Sequence, residues 1–167
     1  MQRMSTHYFE DFSVGDTREL GEATVTAEEI VAFGRQFDPQ PFHVDEERAK
    51  ASPFGGLIAS GWHTAAVFMR LLVDGLLNST ASMGSPGIDE LRWLQPVRPG
   101  DTLRARFTVI GATPSARRPD RGTVRSTCEV INQRGEVVMR ATGINIIGRR
   151  PAARLAGSDG NEHGGSA

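Results

Sequence analysis

Gly61-Trp62-His63-Thr64-Ala65-Ala66-Val67-Phe68-Met69-Arg70-Leu71-Leu72-Val73-Asp74-Gly75-Leu76-Leu77 is the stretch on which the fold turns. From Val67 to Leu77 its apolar residues cover most of a helical circumference, and a helix apolar nearly all round has to be enclosed by other elements. Arg70 and Asp74 interrupt the run, which falls well short of the ~20 residues that cross a bilayer, so it reads as a core helix. The two charges stand one turn apart and can pair along one edge, a contact worth only a few tenths of a kcal/mol when exposed.

Beyond this helix the pattern changes to period two. Leu103, Ala105, Phe107 and Val109 alternate with Thr102, Arg104, Arg106 and Thr108, and Val124, Ser126, Cys128 and Val130 alternate with Arg125, Thr127 and Glu129. Such alternation marks half-buried antiparallel strands. Arg134-Gly135 is a hairpin turn with a return strand from about Glu136 to Ile147, and Pro99-Gly100-Asp101 separates a strand around Leu91 to Val97 from its successor. With one more strand near Asp16 to Val25, the expected fold is α+β: an antiparallel sheet of about five strands wrapped around one long central helix.

Upstream, Thr26 can cap a helix, Glu29 completes a capping box, and Val25 can staple to Ile30. This helix should run to about Phe37 and dock on the sheet through Ile30, Phe33 and Phe37. Pro39 and Pro41 end it and stiffen Asp38 to His43 into a loop, followed by a short helical turn at Asp45 to Ala51 and a loop at Ser52 to Gly56.

A chain of 167 residues with 38% hydrophobic composition suits one domain, placed at 1–148. The last stretch, 149–167, has no aromatic residue and gathers four glycines, so it reads as a disordered tail. With 19 basic against 20 acidic residues the net charge is -1, which argues against nucleic acid as a partner. Cys128 stands alone, excluding an intrachain disulfide or a multi-cysteine zinc site. The first dozen residues lack the apolar run of a signal peptide, so the expected location is cytoplasmic, with no membrane partner.

In Phe37-Asp38-Pro39-Gln40-Pro41-Phe42-His43, a carboxylate and an imidazole stand five residues apart in a proline-stiffened segment. Two such groups facing one small volume can activate water. They can equally cap a turn and the helical turn after it. Gly55-Gly56-Leu57-Ile58-Ala59-Ser60-Gly61 then delivers the chain into the N-terminus of the central helix, where free amides gather. Gly61 would let a substrate oxygen approach the backbone, or would simply permit close packing.

The segments Asp38 to His43, Phe54 to Gly61, and Leu91-Arg92-Trp93-Leu94-Gln95-Pro96-Val97-Arg98-Pro99-Gly100-Asp101 together resemble the MaoC-like dehydratases, the family of (R)-specific enoyl-CoA hydratases, over about Phe9 to Ile147. The resemblance implies a hotdog fold and a homodimer. It also implies syn addition of water to a trans-2-enoyl-CoA thioester, or the reverse dehydration of a (3R)-hydroxyacyl-CoA. In that scheme Asp38 and His43 hold the water, the Gly61 amide stabilises the enolate-like oxygen, and neither a metal nor a further cofactor takes part. Gly56, Ser60, Trp62 and His63 are the candidate substrate-binding residues. Trp62 has a packing role as its alternative, and His63 a helix-surface role.

Gln40 departs from the family pattern, which has asparagine there, so that residue's role is not carried over. Arg117, Arg118 and Arg121 share one loop and could meet coenzyme A phosphates, but with 18 arginines to one lysine in the chain a solvated hairpin tip explains them as well. Two rivals remain: a hotdog acyl-CoA thioesterase, marked by a second carboxylate in the pocket, and a non-catalytic acyl-thioester-binding module.

Overall fold

The computed structural model describes residues 6–152. In chain order the elements are β1 (Thr17–Thr24), α1 (Ala27–Phe37), α2 (Pro41–Val44), α3 (Glu46–Lys50), α4 (Gly61–Gly75), β2 (Gly87–Trp93), β3 (Thr102–Pro114), β4 (Arg121–Ile131) and β5 (Val137–Gly148), with single 3-10 turns at Phe9–Asp11 and Leu77–Ser79. The strands form one antiparallel sheet in the order β1-β3-β4-β5-β2, which leaves β1 and β2 as edges. The sheet curls round α4. Phe68, Leu71 and Leu72 of that helix join Leu103, Phe107, Val109, Val124, Val130 and Met139 in one core. No helix among the described residues is long and apolar enough to cross a membrane.

Local chemistry fixes each boundary. Thr26 accepts the Glu29 amide at 3.2 Å while the Glu29 carboxylate accepts the Thr26 amide at 2.9 Å, the capping box expected for α1. At the β4–β5 hairpin, buried Asn132 accepts the amides of Arg134 and Glu136, both at 3.0 Å. Buried Asp101 ties the turn after β2 to that hairpin through the Arg98 amide at 2.9 Å and Gln133 Nε2 at 2.8 Å. The two ends of the domain also meet. Glu10 accepts from Arg149 Nε and from the Arg150 amide, both at 2.9 Å, Arg150 reaches Asp11 at 2.7 Å, and the His7 amide donates to the Ser79 carbonyl at 2.7 Å. The Arg150 amide and the Arg149 guanidinium draw the Glu10 carboxyl down to about 2. Most of the tail expected at 149–167 lies outside the described residues.

Four expectations about elements are corrected. Phe37 does not dock on the sheet: it is 64% exposed, and α1 packs on α2 and α4, with Phe33 tilted against Phe37 and stacked on His63. Asp38 to His43 is not all loop, because Pro41 occupies the first position of α2, where its missing amide costs nothing. β2 lies about four residues earlier than Leu91 to Val97. At Leu94 and Gln95 the two amides converge on one carbonyl, that of Val138, and Pro96 has no amide to continue the ladder. Finally, α4 is not enclosed all round, since Met69 is 46% and Trp62 59% exposed.

Candidate active site

The site begins where α1 ends. The Asp38 amide closes that helix on the Gly34 carbonyl at 2.9 Å, and α2 begins three residues later at Pro41, so the carboxylate and His43 are set on either side of a tight bend. Opposite them runs the buried stretch Leu57 to Ser60. It is held on one flank by the Ile58 amide to the Phe42 carbonyl at 3.1 Å and on the other by the Ala59 amide to the Val97 carbonyl at 2.8 Å. This stretch delivers Ser60 as the N-cap of α4 and Gly61 as its first residue.

His43 Nε2 stands 3.3 Å from Asp38 Oδ2, and the imidazole is buried. Its other nitrogen, Nδ1, lies 2.7 Å from the Ile58 carbonyl. A carbonyl only accepts, so Nδ1 carries the hydrogen and the neutral ring presents a bare lone pair at Nε2. That lone pair faces a carboxylate oxygen, and two acceptors need a proton between them. At 3.3 Å the contact is closed by a proton on Nε2, or both groups turn toward a hydrogen-donating molecule that lies beside them rather than between them.

Asp38 is clamped from behind. Ser60 Oγ donates to its Oδ2 at 2.7 Å and Gln40 Nε2 donates to its Oδ1 at 2.8 Å. Burial works to raise the carboxyl, but the hydrogen bonds from Gln40 and Ser60 and the nearby His43 outweigh it and hold Asp38 below the usual aspartate value. The group is therefore a fixed negative charge at neutral pH.

His43 and Gly61 line one cavity of about 290 Å³, together with Phe42, Phe54, Thr64 and Trp93. Asp38 is not among the lining residues and stands beside the cavity, reaching it through His43. Phe42 edges the imidazole at 4.6 Å and packs on Phe54 at 5.1 Å, so the wall next to the titratable pair is aromatic. The cap hydroxyl of Ser60 takes the Trp62 amide at 3.3 Å and its carbonyl takes the Thr64 amide at 3.1 Å. The Gly61 amide has no protein partner among the described residues. It is the free donor that the start of a helix offers to an anion or a polarised carbonyl. Gly61 is also needed sterically: a Cβ there would lie 2.5 Å from the Trp93 indole. That contact meets the close-packing reading of this glycine.

Thus Asp38, His43, Ser60 and Gly61 come together, with Ser60 acting on Asp38. Three other candidates are placed elsewhere. Gly56 lies outside the cavity wall, beside the Arg98 guanidinium. Trp62 points outward and packs edge-on against Trp93 at 5.1 Å. His63 is neither on the helix surface nor in the cavity: it is buried against α1, stacked on Phe33 at 4.9 Å. Trp93, Phe42 and Phe54 were missed as cavity walls, although all three stand inside the motif segments and bulky aromatics beside a polar pair were the available signal.

Comparison with known proteins bears on this geometry. Residues 11–132 match the family model described as a MaoC like domain. The chain is 31% identical over 150 residues to a protein of Rhodospirillum rubrum named (R)-specific enoyl-CoA hydratase, covering 86% of this chain and 94% of that one. Among solved structures, a MaoC-like dehydratase from Rhodospirillum rubrum is 49% identical with a TM-score of 0.79, covering 87% of this chain and 99% of that one. A Mycobacterium tuberculosis protein described as a double hotdog fold is 19% identical with a TM-score of 0.72, covering 92% of this chain and 48% of that one, and shares the fold.

Proposed function

The chain belongs to the MaoC-like domain family, and on that premise we propose that it adds water to a trans-2-enoyl thioester of coenzyme A to give the (3R)-hydroxyacyl thioester, or runs the reverse dehydration. The observation that carries this reading is the His43–Asp38 contact of 3.3 Å with Nδ1 tied to a carbonyl, in a cavity that also holds the free Gly61 amide.

A water in the cavity sits against His43 Nε2, beside that nitrogen's contact with Asp38 Oδ2. Its oxygen bonds to the β-carbon as Nε2 takes one proton, and the electrons of the double bond move toward the thioester carbonyl. The Gly61 amide, reinforced by the α4 dipole, receives the developing oxyanion; one such donor is worth about 3 to 4 kcal/mol of barrier. The imidazolium then returns a proton to the α-carbon. Asp38, held ionised by its two donors, stabilises the imidazolium and does not itself supply the proton. One base serving both carbons from one side gives syn addition.

A second copy of the chain completes the particle in this reading. The free edge of β2, the exposed Ile88, Trp93 and Leu94 and the uncovered face of α4 support that part of the proposal.

The test is hydration of crotonyl-CoA, followed by loss of the conjugated double bond while free coenzyme A is measured in parallel. Asp38→Asn and His43→Ala are each expected to lower hydration by about a hundredfold or more with the fold intact. Full activity in either variant overturns the assignment, and thiol release without loss of the double bond would mark thioester hydrolysis instead.

A further inference from the structure

Thr64 stands one turn beyond Gly61 on the same face of α4. It is only 4% exposed, and it lines the cavity that His43 and Gly61 share. A threonine inside a helix commonly turns its hydroxyl back onto the carbonyl one turn earlier. Thr80, just past α4, does so onto the Leu76 carbonyl at 2.8 Å. At Thr64 the corresponding carbonyl is that of Ser60, which takes the Thr64 amide at 3.1 Å and not the hydroxyl. The Thr64 hydroxyl has no protein partner among the described residues. It is not sealed in either, unlike its neighbour His63 Nδ1, which is buried with neither a partner nor an opening. A hydroxyl that is unbonded and still reachable opens on the free space its side chain borders, and that space is the cavity.

The water of the proposed reaction has a hydrogen left over. Its oxygen attacks the β-carbon while His43 Nε2 takes one hydrogen, and the other needs an acceptor if the oxygen is to stay aimed. Asp38 is poorly placed to be that acceptor. It stands behind His43, off the cavity wall, and its oxygens already take Ser60 Oγ at 2.7 Å and Gln40 Nε2 at 2.8 Å. The Gly61 amide donates and cannot accept. Gln95 is the other uncharged polar side chain on the wall, but it is exposed to solvent. Thr64 Oγ1 is buried, and a hydroxyl oxygen offers two lone pairs.

We propose that Thr64 Oγ1 is the second holder of the reacting water: it accepts the hydrogen that His43 does not remove, and after addition it holds the new hydroxyl on the β-carbon. The inference rests on the hydratase reading above. The bookkeeping of atoms is unchanged by it. The water oxygen bonds to the β-carbon, one proton passes through Nε2 to the α-carbon, and the hydrogen resting on Thr64 stays with the product hydroxyl.

The experiment compares the wild-type protein with Thr64→Val, which exchanges the hydroxyl for a methyl of similar shape, and Thr64→Ser, which restores it. In hydration of crotonyl-CoA, Thr64→Val is expected to lose about tenfold in kcat, the worth of one hydrogen bond between neutral groups, with KM within about twofold. Thr64→Ser should keep about half of the wild-type kcat or more, a rescue that a packing role of the methyl would not give. Binding is read separately, by calorimetry with the butyramide and (3R)-3-hydroxybutyramide analogues of coenzyme A, whose α-hydrogens are too weakly acidic for the hydroxyl to be lost. The wild-type protein should favour the hydroxylated analogue by about fivefold. Thr64→Val should bring that ratio close to one at unchanged affinity for the butyramide analogue, and Thr64→Ser should retain it. Thr64→Ala gives the same readings if Thr64→Val does not fold. A kcat of the hydroxyl-free variant equal to wild type, a ratio that survives in it, or a serine variant as impaired as the valine one overturns the proposal. Wild-type hydration with the ratio unmoved by substitution removes Thr64 and leaves the hydratase standing. A ratio that depends on Thr64 in a protein that hydrates no enoyl-CoA removes the hydratase and leaves a hydroxyl site at Thr64.

Discussion

At His63 the chain buries an imidazole with one ring nitrogen, Nδ1, unsatisfied, stacked nearly parallel on Phe33. Burial pushes its pKa below the ordinary 6.5, with the Glu29 charge opposing. A group that is harder to protonate folded than unfolded contributes stability that is complete above the unfolded value and declines as pH falls below about 6.5 toward the folded one. The melting temperature of the wild-type protein should therefore drop between neutral and mildly acid pH more steeply than that of His63→Phe, which keeps the stack without the titration. Parallel curves would sink the account. His63 was singled out in the sequence for standing two residues after Gly61, but neighbouring positions on a helix point about 100° apart, so sharing a motif did not mean sharing a cavity. For Asp38 and His43 the proline spacing sufficed to bring the pair together. Gln40 could be read as a departure from the family pattern but not resolved; its longer amide folds back onto Asp38 Oδ1.

At the scale of elements, α1 carries the carboxylate at its far end and is fastened at its start by the Thr26–Glu29 box. Thr26→Ala removes the acceptor for the Glu29 amide and is expected to cost about 1 kcal/mol in urea unfolding, with hydration of crotonyl-CoA nearly unchanged. A loss of activity out of proportion to stability would mean that the cap sets the geometry of Asp38. This box was legible because it depends on residues three apart. So were β3, β4 and β5, whose alternation holds over long strands. The start of β2 was not, because its side chains are almost all exposed and alternate nothing against a core. The docking of Phe37 failed for the opposite reason: helical spacing identifies an apolar face but not what that face meets.

At the scale of the molecule, the apolar circumference of α4 predicts full enclosure, whereas a single chain leaves Trp62 and Met69 exposed. The remaining surface is the signal that sequence periodicity cannot assign, since burial by the same chain and by a second copy look alike. Light scattering is expected to give twice the 18.1 kDa chain mass for the wild-type protein. Ile88→Lys, on the exposed edge strand, should return it to one chain and lower hydration with it. A monomeric wild-type protein would refute the paired particle.

The stitched ends have a practical consequence. Glu10, Asp11, Arg149 and Arg150 gather beside the 3-10 turn that follows α4, whereas the Gly61 amide opens at that helix's other extremity, about 20 Å off at ~1.5 Å per residue. Substitutions that part these four side chains would therefore act at the pole remote from the mouth of the cleft and leave traffic through it unobstructed.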